Sequence, residues 1–212
     1  MPVTRETTSW WDRRVVPFLL EKAGRSSTIL EERRRWIPRA HGEVLEIGVG
    51  SGLNLPFYDA SRVTKVTAID PSEPLLRRAH ARADVAPVPI ELVPGKAEQL
   101  PFADRSFDSV VMTYALCSIG DPLHALAEIK RVLRPGAELV FVEHGLAPDL
   151  GARRWQHRLT PAWSRIGGGC HLDRDVATLL RDAGLRSDDL TTGYTGGPRW
   201  LSYTYEGTAR AA

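Results

Sequence analysis

Three alternating glycines, Gly48, Gly50 and Gly52, stand directly behind the apolar run of VLEIGVGSGLN, with an acid, Glu46, just ahead of them. Glycine is costly inside regular elements, so its clustering at a strand end marks positive φ or close approach of the backbone to a ligand. A dinucleotide fingerprint, G-x-G-x-x-G, would set its third glycine where this chain has Leu53. The observed G-x-G-x-G follows a carboxylate that would repel a pyrophosphate, which disfavours NAD and suits a cationic ligand bearing amine groups. A second acid, Asp70, ends VTAIDPS about twenty residues further on, the spacing at which such an acid meets ribose hydroxyls in nucleotide-binding α/β domains.

The elements that must position these groups follow from the patterning. From Glu43 onward, strand-length apolar runs (EVLEIGV, KVTAID, IELVPG, FDSVVMTY, AELVFVEH) alternate with the helical patterns PSEPLLRRAHARA and PLHALAEIKRVL. That alternation predicts parallel βαβ units in a doubly wound sheet, with ligands outside the carboxyl ends of the strands. A short helix is expected after the glycine turn. Ser72 is a candidate N-cap, Pro74 fits the first turn, and Leu123, Leu126, Ile129 and Leu133 form an apolar stripe that Pro135-Gly136 ends. The pattern lapses over residues 145–175, read as an insert, before the helix DRDVATLLRDAGL and two closing strands. The third loop, GKAEQLPFADRSFDSVV, brings Glu98 to the same edge. S-adenosylmethionine, with a sulfonium, an α-amino group and a ribose, meets what these acids and glycines ask of a ligand.

Residues 1–40 read as a helical lid segment ahead of a main domain at 41–212. Ser9 is a candidate cap for a helix begun by Trp10 and Trp11 and bent at Pro17. The Trp pair with Arg13 and Arg14 offers at most weak contact with a membrane surface, and packing on the main domain is the simpler use. The Glu31/Arg35 pair in EERRR reads as a solvated helix face.

The whole chain bounds the rest. Its 212 residues suit one α/β domain, and 28 basic against 26 acidic side chains give no electrostatic case for nucleic acid. Two cysteines, Cys117 and Cys170, favour a reducing compartment over a disulfide framework. With no run long enough to span a membrane and no signal peptide, a soluble cytoplasmic protein is expected.

VLEIGVGSGLN, VTAIDPSEPLLRRA, AEQLPFADRSFDSVV and IKRVLRPGAELVFVEHG resemble, in order, the motifs of class I S-adenosylmethionine-dependent methyltransferases, over about His41 to His144. The resemblance implies a Rossmann-like, doubly wound, seven-stranded, mostly parallel sheet with an antiparallel C-terminal strand. It implies that Gly48, Gly50 and Gly52 face the cofactor, that Asp70 meets its ribose, and that Ala97 and Glu98 lie near the adenine. Glu46, Asn54, Pro71, Ser72, Thr113 and Cys117 complete the expected seat. Lys96 departs from the family, which often has Asp at that place.

A narrower likeness lies in YALCSIGDP, FVEHG, WQHRLTPAWSRIGGGCHLDRD and YEGTA, which are similar to the methyltransferase-like thiol methyltransferases and their bacterial relatives. It implies a small-molecule acceptor, with thiol S-methylation favoured; animal members carry a hydrophobic N-terminal anchor that is not seen here. A thiol needs only modest help to ionise, whereas an alcohol needs a strong base. At the strand ends stand Tyr114 and Cys117, then Glu143 and His144. His144 is the expected general base, or equally a pocket-shaping residue, with Tyr114 beside it. Cys117 reads as a small pocket-lining residue. Cys170-His171 with Glu143-His144 has no recognised ligand spacing, so no metal is expected. Trp10, Trp155 and Trp163 could wall an acceptor pocket or simply pack. The alternatives are N- or O-methylation of a lipid-like or secondary-metabolite acceptor and a nucleotide-binding module without turnover.

Overall fold

A computed structural model of the chain describes residues 24–211, together with Val15, Phe18, Glu21 and Lys22. Ser9, Trp10, Trp11, Arg13, Arg14 and Pro17, on which the reading of the first helix rests, lie outside the described residues.

Period-two alternation of apolar side chains builds the central layer. Strand β1 (Gly42–Ile47) sends Leu45 and Ile47 into the core on one face and Val44 into the core on the other. Strands β2 (Val63–Asp70) and β3 (Ile90–Pro94) flank it in parallel on one side, β4 (Phe107–Thr113) and β5 (Leu133–His144) on the other. Helices α2 (Glu73–Ala83), which starts after Ser72 although the Ser72 side chain makes no capping hydrogen bond, and α3 (Pro122–Val132) are the crossovers. Strand order is β3-β2-β1-β4-β5-β8-β6, so the order reverses beside β1 and opens a crevice at its carboxyl end.

The sheet has eight strands where seven were expected. β6 (Leu185–Arg186) and β7 (Thr191–Tyr194) share the outer edge of β8 (Tyr203–Ala211): β7 pairs with its first half and β6 with its last residues. β7 and β8 are the two closing strands expected, joined through Gly196 and Gly197 at positive φ, and the added strand is the two-residue β6. β8 runs antiparallel to β5, as expected.

The short helix expected after the glycine turn is a single 3₁₀ turn, Leu55–Phe57. Two local expectations change. Leu123 is exposed, and α3 buries Ala125, Leu126, Ile129 and Val132 instead. Leu133 already belongs to β5, and Gly136 sits at positive φ in the irregular stretch between the Leu133 and Glu138 pairings.

Helix α1 (Ser27–Trp36) covers the face of the sheet that holds Val44, and Trp36 and Ile37 are fully buried there. EERRR is therefore not one solvated face: Glu31 and Arg35 are exposed, whereas Glu32 and Arg33 are buried, and Arg35 pairs with Glu206 at 3.5 Å. Glu32 and Arg33 stand four and three residues before Trp36, which turns all three inward together. Helices α4 (Leu150–Ile166, containing Pro161) and α5 (Val176–Asp182) complete the chain. Among the described residues, no helix is long and apolar enough to cross a membrane.

Candidate active site

The turn after β1 is pinned to β2 before any ligand arrives. The Gly48 and Val49 amides donate to the Ile69 carbonyl at 2.9 and 3.2 Å, and the Gly50 amide donates to Asp70 Oδ2 at 2.9 Å. All three glycines have positive φ, which explains the residue type. A side chain at Gly48 would press on Ala115 and one at Gly52 on Leu55 and Ala79, so these two serve packing as well. At Gly50 a Cβ would meet only the Gly48 carbonyl, at 3.9 Å, so the backbone there is bared to open space.

Asp70 is buried at the end of β2, and its second oxygen accepts the Ser72 amide at 2.8 Å. Burial raises its pKa, with the two amides opposing the shift. Each oxygen accepts one amide and keeps a lone pair for a ligand hydroxyl. Pro71 is exposed beside it. Across the crevice, Ala97 is buried, and Glu98 accepts the Gly120 and Asp121 amides at 3.0 and 3.3 Å. A cavity of about 460 Å³ adjoins this loop, lined by Lys96, Glu98, Gln99, His124 and Glu128.

Glu46 is held in a network of the protein's own side chains. It is 1% exposed, and both oxygens are engaged: Tyr58 donates to one at 2.7 Å and the Asn54 amide to the other at 3.0 Å. Asn54 also donates to Thr113 at 3.0 Å, and Arg33 of α1 donates to both Asn54 and Thr113. Burial lifts the Glu46 carboxyl to about 7 while Tyr58, Asn54 and Arg33 oppose the rise. The cation that answers Glu46 thus belongs to the protein, because α1 lays Arg33 over the strand end. Glu46, Asn54 and Thr113 act on the turn from beneath it.

The ends of β4 and β5 bring together residues far apart in sequence. Tyr114 sits at φ +54, a sparsely populated conformation for a bulky residue. Its hydroxyl donates to Glu32 of α1, and burial, with Glu32, drives its pKa upward. That hydroxyl is held rather than presented. Glu143, fully buried, accepts the Ala115 amide at 2.9 Å on one oxygen and leaves the other without a partner. Burial raises its carboxyl to about 8.

His144 is not a free base here: its Nε2 lies 3.1 Å from Cys170 Sγ. Cys117 joins them, so one atom of each of the three lies within 4.8 Å of the others. The neighbouring Cys170 and His144 hold the Cys117 thiol well below its ordinary value. Trp163 donates to Cys170 at 3.3 Å and packs edge-on against Trp200, whereas Trp155 is exposed. The His171 backbone amide donates to the Cys117 carbonyl at 2.8 Å, which ties this loop to the turn after β4.

Sequence reasoning misses Arg33, Glu32 and Tyr58. The spacing of Glu32 and Arg33 to Trp36 is the available signal for the first two, since a tryptophan fixes which face of a helix goes inward. No local signal marks Tyr58.

A doubly wound sheet with a G-x-G-x-G turn, an acid closing β2 and an antiparallel C-terminal strand defines a Rossmann-like class I methyltransferase domain. Residues 45–141 match the methyltransferase domain family. Residues 45–141 are therefore those of a methyltransferase domain, and S-adenosylmethionine is the cofactor that this likeness implies. It is 39% identical over 137 residues to thiol S-methyltransferase TMT1B of Rattus norvegicus, covering 63% of this chain and 55% of that protein. It is 41% identical over 113 residues to phosphatidylethanolamine N-methyltransferase of Cereibacter sphaeroides, covering 52% of this chain and 54% of that one. The chain thus spans just over half the length of both. The crystal structure of an S-adenosylmethionine-dependent methyltransferase from Methanosarcina mazei aligns with a TM-score of 0.63 at 26% identity, covering 80% of this chain and 92% of that one.

The residues fit this cofactor. Bare backbone at Gly50 admits close approach, and Asp70 keeps lone pairs for the ribose. When bound, the cofactor supplies a methyl group already activated on a sulfonium.

Proposed function

We propose that this chain transfers the methyl group of S-adenosylmethionine to the sulfur of a small-molecule thiol. The observation that carries the reading is the 39% identity to a protein named as a thiol S-methyltransferase. The chemistry agrees with what lies at the strand ends. An activated methyl needs an aligned nucleophile and a dry site, and a thiol loses its proton near neutral pH without a strong base. This suits a site where the Tyr114 hydroxyl and His144 Nε2 are already engaged. Trp163, Trp200, Leu201 and Leu172 supply apolar walls beside Cys117 and Cys170. The acceptor thiolate attacks the methyl carbon as the carbon–sulfur bond of the donor breaks. The bonding pair stays on the donor sulfur, and the thiol proton leaves to solvent.

A second reading, N-methylation of an amine headgroup, is favoured by the 41% identity to the phosphatidylethanolamine enzyme. A screen with isotope-labelled donor against alkyl thiols, sulfide, phenols, amines and phosphatidylethanolamine vesicles separates the two. The expected result is labelled thioether from the thiols and none from the amines. Labelled amine with every thiol inert would overturn the proposal.

A further inference from the structure

Cys117, His144 and Cys170 come from three separate elements: the 3₁₀ turn after β4 (Leu116–Ser118), the last residue of β5, and the segment after α4. Both cysteines are free thiols. Four-coordinate zinc takes sulfur at ~2.3 Å and imidazole nitrogen at ~2.0 Å, which sets ligand atoms roughly 3.5–3.8 Å apart. Three atoms within 4.8 Å of one another, two of them at 3.1 Å, close around such an ion with small side-chain adjustments. Two sulfurs and an imidazole select a thiophilic ion over magnesium or calcium.

The surroundings hold this arrangement in place. Arg174 donates to the Leu116 and Ile119 carbonyls and so clamps the turn that carries Cys117. The His171 amide ties the Cys170 segment to the same turn, and the Trp163 N–H points at Cys170 Sγ. Donors and clamps of this kind orient ligands at metal centres. Independently, Glu143, the residue before His144, leaves one fully buried carboxyl oxygen without a partner, and a cation at the cluster would favour its ionised form.

We propose that Cys117, His144 and Cys170 bind one Zn²⁺ ion with an open fourth position. Among the described residues no fourth ligating side chain joins the group, and three protein ligands with an exchangeable fourth is the pattern of catalytic rather than structural zinc. One consequence rests on the thiol reading above: an acceptor thiol entering the fourth position is deprotonated on coordination, its proton leaving to solvent. The site itself does not depend on that reading.

The test uses the untagged full chain, kept reduced, stripped with chelator, reloaded with Zn²⁺ or Co²⁺ and desalted. About one ion per chain is expected by mass spectrometry, with a thiolate-to-cobalt charge-transfer band in the Co²⁺ form. Cys170→Ser and His144→Ala should each lose the ion at least roughly tenfold more readily, as removal of a metal ligand predicts. Zn²⁺ should also protect both wild-type thiols from alkylation, a readout that needs no variant. Background metal in the reduced wild type, equal metal in Cys170→Ser, or a Cys117–Cys170 disulfide as the stable form would each overturn the site. Stoichiometric zinc in a protein that methylates only amines would support the site while rejecting the thiol reading.

Discussion

Arg33, on the first described helix, donates to Thr113 at the end of β4, 3.2 Å away across eighty residues of chain. The same guanidinium donates to Asn54 and is the positive charge opposite Glu46. A segment that reads as an appendage in the sequence thus sets the electrostatics beneath the cofactor turn.

Arg33→Met removes the buried donor to Asn54 and Thr113 and the positive charge near Glu46, and should destabilise the fold by about 1–3 kcal/mol near pH 8, the range for a buried hydrogen-bonding group left unpaired. Adding Glu46→Gln should recover the part of that loss that the missing charge causes. A double-mutant cycle by urea denaturation reads the coupling, and additive losses would show that the two charges do not interact.

Glu46 also makes stability depend on pH. Its carboxyl is raised by burial from 4.5 to about 7, so the folded state holds that proton more tightly than the unfolded chain does. The contribution is complete below the unfolded value, falls as pH rises through about 7, and is flat above it. From about pH 5 to about pH 8, wild type should lose roughly 3 kcal/mol relative to Glu46→Gln, since each tenfold difference in proton affinity between the folded and unfolded states is worth about 1.4 kcal/mol. Parallel curves for the two proteins would refute this.

Gly50→Ala and Gly48→Ala should part company. Both impose a left-handed conformation, at a cost of about 1–2 kcal/mol. Only Gly48→Ala also drives its Cβ to 2.6 Å from Ala115. Thermal melts should therefore show Gly50→Ala as the milder change. Calorimetry should show it binding S-adenosylhomocysteine at least about tenfold more weakly, since the new methyl points where only a ligand would lie.

Asp70→Ala should weaken S-adenosylhomocysteine binding by about 1.5–3 kcal/mol, the worth of hydrogen bonds to a charged group. The loss includes ordering of the turn, because the Gly50 and Ser72 amides lose their acceptor too. Unchanged affinity by calorimetry would remove Asp70 from the ribose site.

Features carried by local pattern are legible in the sequence: the alternating strands, the helix after Ser72, and the positive-φ glycines. Features that depend on long-range juxtaposition are not. Glu46 stands out as a charge in an apolar strand, but its partner Arg33 lies in a run of charges whose inward face only Trp36 marks. Cys117, His144 and Cys170 each draw attention singly, yet no ligand spacing links them, because it is the ends of β4 and β5 and the segment after α4 that converge. The eighth strand is hidden because β6 has only two residues, too few to carry an alternating pattern, and forms through its pairing with the end of β8.

The contact between Trp36 Nε1 and Glu206 Oε2, 2.6 Å long, joins residues 170 apart. Glu206 lies in β8, the last strand in the chain, which docks against β5. The indole N–H of Trp36 therefore meets this acceptor only once the chain has been made as far as Glu206. During synthesis, this tie between helix α1 and the sheet must wait for β8. Chains cut before Tyr203 would keep the cofactor motifs but lack the strand that seats this helix.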